Sequence, residues 1–92
     1  MDSLGEQFEP HIKSVYTDLG GTKRVDVEPY RTKNVQGHEV EITGFYHNGG
    51  DNIGAFGHKV KKDGTTHARG SSDLSVRKHA NVRKALLENG GN

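Results

Sequence analysis

Apolar and polar residues alternate with a period of two along three stretches of the chain, residues 23–30, 38–47 and 53–61. Successive side chains of a β-strand point to opposite faces of a sheet, so this period predicts three strands that each bury one face. Polar segments rich in glycine and asparagine separate them, which favours hairpins between sequential strands. Residues 65–69 fit a short fourth strand. The side chains predicted to point inward are Val25, Val27, Val40, Ile42, Phe56 and Val60.

The two ends of the chain show instead the three-and-four spacing of an amphipathic helix. Residues 71–89 are predicted to form the C-terminal helix. Ser71 and Ser72 can cap its first turn, and Gly90 and Gly91, directly after residue 89, permit a left-handed exit. Near the N-terminus the apolar spacing predicts a helix over residues 10–19, where Pro10 suits the first turn. The apolar side chains predicted to cover the sheet are Ile12, Val15, Leu19, Val82 and Leu86.

Together these elements predict an α+β fold. It would be a small two-layer sandwich, in which an antiparallel meander of three to four strands carries an N-terminal and a C-terminal helix packed on one face. The 92 residues suffice for a single domain with a thin core. We expect residues 1–9 to form a loosely ordered turn and residues 90–92 to form a flexible tail.

The composition narrows the class of protein. The chain has no cysteine, which excludes disulfides and thiolate metal sites. No apolar run approaches the roughly 18 residues of a membrane span, and the first residues lack the basic start and apolar middle of a signal peptide. We therefore expect a soluble intracellular protein of the cytoplasm that contacts no membrane.

The net charge of +1 hides an uneven distribution. Residues 1–41 hold 5 basic and 8 acidic residues, whereas residues 42–92 hold 8 basic and 4 acidic ones. Clustered cations attract phosphates, so the sequence predicts a non-enzymatic module that binds nucleic acid, DNA or RNA, with little sequence specificity. The alternative is that these cations only solvate a turn and a helix flank. The candidate contacts are Lys59, Lys61, Lys62, Arg69, Arg77, Lys78, Arg83 and Lys84.

Aromatic residues on the predicted strands suggest a second function. If one or two of the strand aromatics Tyr30, Phe45, Tyr46 and Phe56 face outward, they could stack on bases or anchor a protein partner. The candidate anchors are Tyr30, Phe45 and Tyr46. The faces of Phe45 and Tyr46 stay open, because Gly44 could mark a bulge. The alternative to nucleic-acid binding is a protein-binding accessory, inhibitory or virion structural protein of a phage or mobile element. A homo-oligomer is compatible with either function, since so thin a core gains stability from association.

Neither a metal site nor a catalytic site is predicted. His38, His47, His58 and His67 recur at spacings of 9, 11 and 9 residues, which could bring imidazoles together on paired strands. Alternation, however, puts His38 and His47 on opposite faces unless Gly44 bulges. We therefore expect histidines that are solvated or hydrogen-bonded, or that gain charge below about pH 6.5. No spacing matches a catalytic set or a nucleotide-binding loop, so we expect no cofactor and no enzyme activity.

Overall fold

The computed structural model describes residues 8–47, 49 and 52–87. These residues form one antiparallel sheet in which five strands follow one another in chain order. Strands form near the positions predicted at 23–30, 38–47 and 53–61, with ends that differ by one to three residues, but the sheet has five strands where three to four were predicted. The described elements are β1 (Ile12–Thr17), β2 (Lys23–Lys33), β3 (Glu39–His47), β4 (Ile53–Lys59), β5 (Ser71–Leu74) and one helix, α1 (Ala80–Leu87).

The centre of the sheet is held by side chains that face each other on adjacent strands. Val25 of β2 lies opposite Phe45 of β3, which lies opposite Ala55 of β4, and Leu74 of β5 completes the row. Each of the four is at most 5% exposed. We refer to the side of the sheet that carries this row as the core face, and to the other side as the open face.

The helix α1 packs on the core face, against β1, β2 and β3. Its buried residues Val82, Ala85 and Leu86 have the spacing of one helix side. They belong to the same apolar cluster as Phe45. The described part of α1 has 8 residues, and an isolated helix of that length is not stable in water, so this contact with the sheet stabilises it.

The predicted N-terminal helix is wrong, and with it the α+β sandwich of two helices on a three- to four-stranded sheet. Residues 12–17 form β1, which pairs with β2 along the edge of the sheet. Ile12 is partly buried against the core, but Val15 and Leu19 are exposed. The apolar spacing of this segment therefore does not mark a buried helical side, and β-branched residues such as Ile12, Val15 and Thr17 favour a strand.

A turn at residues 18–22 joins β1 to β2. Asp18 Oδ1 accepts hydrogen bonds from the backbone N–H groups of Gly20 and Thr22, both at 2.9 Å. Gly21 has a φ of 89°, in the left-handed region that favours glycine. The two glycines that the sequence analysis interpreted as a helix end belong to this hairpin.

The predicted C-terminal helix is also corrected, because its first residues form β5. Ser71 lies opposite Gly57 and Leu74 lies opposite Ala55. Residues 75–79 then connect β5 to α1 without regular structure. Ser71 and Ser72 therefore do not cap a helix, and the predicted fourth strand over 65–69 is reduced to a single bridge between Val60 and Thr66.

The N-terminus of α1 is capped from the other end of the chain. The backbone N–H of Asn81 donates to Glu9 Oε1 at 3.1 Å, and the Asn81 side-chain amide donates to the carbonyl of Pro10 at 2.7 Å. A carboxylate at this position also complements the helix dipole. Residues 1–7 of the turn predicted at 1–9 lie outside the described residues. The same holds for the tail predicted at 90–92 and for the part of the predicted helix beyond Leu87.

Candidate nucleic-acid interface

The structure places the eight candidate cations in three parts of the fold. Lys59, Lys61, Lys62 and Arg69 lie at the end of β4 and in the segment that follows it. Arg77 and Lys78 precede α1, where Arg77 lines a hollow with Phe8 and His79 and Lys78 donates to the carbonyl of Val76 at 2.8 Å. Arg83 and Lys84 are exposed on α1, in the layer that covers the core face.

We refer to residues 59–70 as the basic loop. Hydrogen bonds fix its tip: the N–H of Lys61 donates to the carbonyl of Thr65 at 2.7 Å, and the N–H of Gly64 donates to the carbonyl of Lys61 at 2.9 Å. Gly64 has a φ of 92°, which favours glycine. Lys61 and Lys62 therefore project from a tight turn. The cations of the basic loop are Lys59, Lys61, Lys62 and Arg69, all of them exposed.

The single carboxylate of the basic loop belongs to Asp63 and is engaged within the loop. Asp63 Oδ1 accepts hydrogen bonds from the hydroxyl of Thr65 at 2.7 Å and from its backbone N–H at 3.0 Å. These bonds hold the pKa of Asp63 below its usual range. Four cations and one carboxylate give the loop an excess of three positive charges when His67 is neutral.

Two adjoining hollows lie along the basic loop and share Lys59 and His67. They measure about 520 Å³ and about 340 Å³. Both are shallow, so they suit an extended polyanion better than an enclosed small molecule. The charged and titratable residues of their linings include Lys59, Lys61, Lys62, Arg69, His67 and Glu39.

Two contacts join the basic loop to the open face. The Nδ1–H of His58 donates to the carbonyl oxygen of His67 at 2.9 Å. Gly70 lies against the ring of Phe56, since a Cβ at position 70 would be only 3.1 Å from that ring. The basic loop therefore continues the surface of the open face at β4.

The open face presents two rows of side chains across β1, β2, β3 and β4. Each row alternates in sequence with the buried row that contains Val25 and Phe45, which is why it points away from the core. The first row is Tyr16, Arg24, Tyr46 and Gly54, and the second is Ser14, Asp26, Gly44 and Phe56.

Contacts within the first row fix Arg24 and Tyr46. Arg24 Nε donates to Asp18 Oδ2 at 2.6 Å, and the guanidinium carbon lies 5.5 Å from the centre of the Tyr46 ring. The hydrogen bond from Arg24 lowers the pKa of Asp18, so this pair stays ionised. The Tyr46 ring covers Gly54, and its hydroxyl donates to the carbonyl of Ser72.

Of the three aromatic residues predicted as anchors, Tyr46 lies on the open face. Phe45 is 1% exposed and offers no surface to a ligand. Tyr30 is partly buried, with its ring centroid 5.2 Å from that of Phe8 and 5.7 Å from that of His79. Burial raises the pKa of Tyr30 to about 12, and we do not assign it a binding role.

Two further aromatic residues lie on the open face: Tyr16, which was not among the predicted anchors, and Phe56. Tyr16 fell in the segment predicted as a helix, and Phe56 was assigned to the core. The glycines on either side of Phe56, Gly54 and Gly57, were the available signal, because glycine within a strand often marks a close approach of another group.

Below about pH 6.5 we expect His79 to weaken the fold. Burial and the charge of Arg77 lower the pKa of His79 from 6.5, against the opposing influence of Glu9 and a hydrogen bond with the Phe8 backbone. As the pH falls below 6.5, the unfolded chain therefore binds a proton at His79 before the folded chain does. The free energy of unfolding keeps its full value above pH 6.5 and decreases as the pH falls below it. Thermal melting between about pH 7.5 and pH 5 checks this. Replacing His79 by Gln should flatten the profile, whereas His38→Gln, at an exposed position, should not.

The four histidines of the predicted series do not converge on one point. His58 and His67 are joined by their hydrogen bond, while His38 is exposed at the start of the β3 region. Among residues 8–47, 49 and 52–87, no group of three or more histidine, aspartate or glutamate side chains is arranged to hold a metal ion.

Comparison of the chain with protein-family models, with curated proteins and with solved structures found no match. Within the part of the chain that the structure describes, no helix is long and apolar enough to cross a membrane.

Proposed function

We propose that this protein binds nucleic acid through phosphate contacts of the basic loop. The observation that carries the proposal is the set Lys59, Lys61, Lys62 and Arg69, exposed around two adjoining hollows, with the carboxylate of Asp63 engaged within the loop. Lys and Arg side chains that neutralise phosphates release counterions, which supplies most of the affinity of such interfaces. The contacts follow the backbone of the nucleic acid, so they confer little sequence specificity.

The connection between the basic loop and the open face supports this proposal. Phe56 and Tyr46 are partly exposed on the open face, and Phe56 lies next to the loop at Gly70. Proteins that bind single strands commonly combine a positively charged track for the backbone with aromatic side chains on which bases stack. A strand that follows the basic loop would reach these rings directly.

The experiment is a titration of labelled single-stranded and duplex DNA and RNA over a range of salt concentrations, followed by fluorescence anisotropy. Replacing Lys61 and Lys62 together by alanine should weaken binding and reduce the slope of log K against log salt by about one to two, since each lost phosphate contact removes nearly one unit. The matched control replaces Arg83 and Lys84 by alanine. It removes the same charge from the helical layer and should leave the slope nearly unchanged.

If the slope of log K against log salt fell equally in the two double variants, the phosphate contacts would not be concentrated in the basic loop. No measurable affinity for any of the four nucleic acids at about 50 mM salt, where electrostatic binding is strong, would overturn the proposal. Protein binding would then be the favoured function. The observation that supports it is the edge strand β1 with its following turn, where Val15, Tyr16 and Leu19 are exposed and can meet a partner strand.

A further inference from the structure

A third hollow lies on the open face, in the row that contains Asp26, Gly44 and Phe56. It measures about 550 Å³, and its lining includes Tyr16 and Phe56, whose side chains lie on the open face. Gly44 stands between Asp26 and Phe56 in the cross-strand row. Because glycine has no side chain, the row has a gap at this position.

The gap is a property of the backbone. A Cβ at Gly44 would lie 2.9 Å from the carbonyl oxygen of Val25 and 3.4 Å from Asp26 Oδ1. The register between β3 and β4 shifts between Ile42 and Gly44, and such a bulge changes the direction of the neighbouring side chains. The hollow is therefore built into the pairing of β2, β3 and β4.

One carboxylate of the hollow retains capacity to accept hydrogen bonds. The hydroxyl of Tyr16 donates to Asp26 Oδ1 at 3.4 Å, and the hydroxyl of Ser14 donates to Oδ2 at 3.5 Å. Both distances are long for O–H···O bonds, and a carboxylate offers about four lone-pair positions. Burial and the charge of Asp26 raise the pKa of Tyr16, so the phenol keeps its proton at neutral pH.

The lining of the hollow also contains two cations, Lys13 and Arg24. Arg24 is paired with Asp18, whereas Lys13 is exposed on β1. A ligand that fits all of these groups has a flat apolar body for the rings of Tyr16 and Phe56. It also has N–H groups that donate to Asp26, and a negative charge at the rim of the hollow for Lys13. A nucleotide combines these three properties.

We propose that this hollow binds one unpaired nucleobase of a single strand, with the base against Tyr16 and Phe56 and its N–H groups donating to Asp26. The inference depends on the proposed function, since the basic loop would hold the phosphates of the same strand. Unpaired bases are recognised in this manner in general, by stacking on aromatic rings and by hydrogen bonds to their Watson–Crick edge.

The carboxylate of Asp26 selects guanine among the four bases. Guanine alone presents two adjacent donors on its Watson–Crick edge, N1–H and the N2 amino group, which match the two oxygens of a carboxylate. Cytosine and adenine place a ring-nitrogen acceptor beside their amino group, and thymine or uracil flanks its single N–H with two carbonyl oxygens. Each of these would direct an acceptor at a carboxylate oxygen.

The test uses a thymine strand of about twelve nucleotides, a length that an open groove accommodates, with one central guanine, inosine or thymine. Inosine keeps N1–H and lacks the N2 amino group. Wild-type protein should bind the guanine strand about tenfold more tightly than the inosine or thymine strand, within the range of a good bidentate pair. Asp26→Asn should bind the three strands equally, with its thermal melting recorded to show that it folds. Glu28→Gln, an equal change of charge at an exposed position of β2, should keep the preference.

The wild-type comparison decides the inference even if Asp26→Asn fails to fold. Equal affinity of the wild type for the guanine and inosine strands would overturn the nucleobase hollow and leave the phosphate-binding loop intact. A preference that survives in Asp26→Asn would overturn the role of Asp26. If none of the strands binds, both the proposed function and this inference fail, and the rings and carboxylate would then suit a cationic side chain of a protein partner.

Discussion

Replacing Phe45 by alanine should lower the free energy of unfolding by about 3–5 kcal/mol, as expected for a large ring removed from a core. Phe45 is 1% exposed and lies opposite both Val25 and Ala55. The small side chain of Ala55 cannot fill the cavity that its neighbour would leave. Because small domains have only about 5–15 kcal/mol of stability, this single change removes a large share of it. Urea denaturation followed by circular dichroism measures the loss.

The matched control is Phe56→Ala, which removes the same ring from the adjacent strand on the other side of the sheet. Phe56 is partly exposed and contacts Gly70 and His58, so its removal should cost about 1 kcal/mol, the usual size of a change outside the core. A larger loss for Phe56→Ala than for Phe45→Ala would mean that the two faces of β3 and β4 are assigned the wrong way round.

Alternation predicted the buried faces of β2 and β3, because the large apolar residues of the predicted segments lie on the core face there. The predicted inward residues Val25, Val27, Val40 and Ile42 are all buried. The same pattern misassigned β4. Its inward residues are Ile53, Ala55 and Gly57. Ala55 lies opposite the large ring of Phe45, and Gly57 lies against the backbone of Glu41 and Ile42. The largest side chain of the segment, Phe56, therefore indicated the wrong face.

The two ends of the fold could not be predicted from local spacing. Residues 71–74 become a strand because β4 has an edge to pair with, which overrides their helical spacing. The helix begins instead where Glu9 accepts a hydrogen bond from Asn81, 72 residues away along the chain. Rules for helix caps search only the neighbouring residues, so they cannot find such a partner.

The sequence selects candidate cations but does not show how they are grouped. Charge asymmetry selected eight cations, but only the sheet and the turn at Gly64 show which four lie around adjoining hollows. The hollow on the open face depends on strand pairing alone. Asp26 and Phe56 are 30 residues apart in the chain and share a row only because Gly44 stands between them.

Gly57→Ala should destabilise the protein by about 3 kcal/mol, the upper part of the range for overpacking. A Cβ at this position would lie 2.0 Å from the carbonyl oxygen of Glu41 and 3.0 Å from Ile42 Cα. Both are backbone atoms of β3, which cannot rotate away as a side chain would. The added methyl group must therefore separate β3 from β4 at the point where their register shifts. Thermal and urea denaturation measure the loss of stability.

The control is Gly20→Ala, which adds the same methyl group in the turn between β1 and β2. There a Cβ would meet only Asp18 Oδ1, at 3.5 Å, and the hydrogen bond from the Gly20 N–H to that oxygen is retained. Its expected effect is within about 0.5 kcal/mol, as for other surface changes. Equal stability of the two variants would show that β3 and β4 can separate without cost at Gly57.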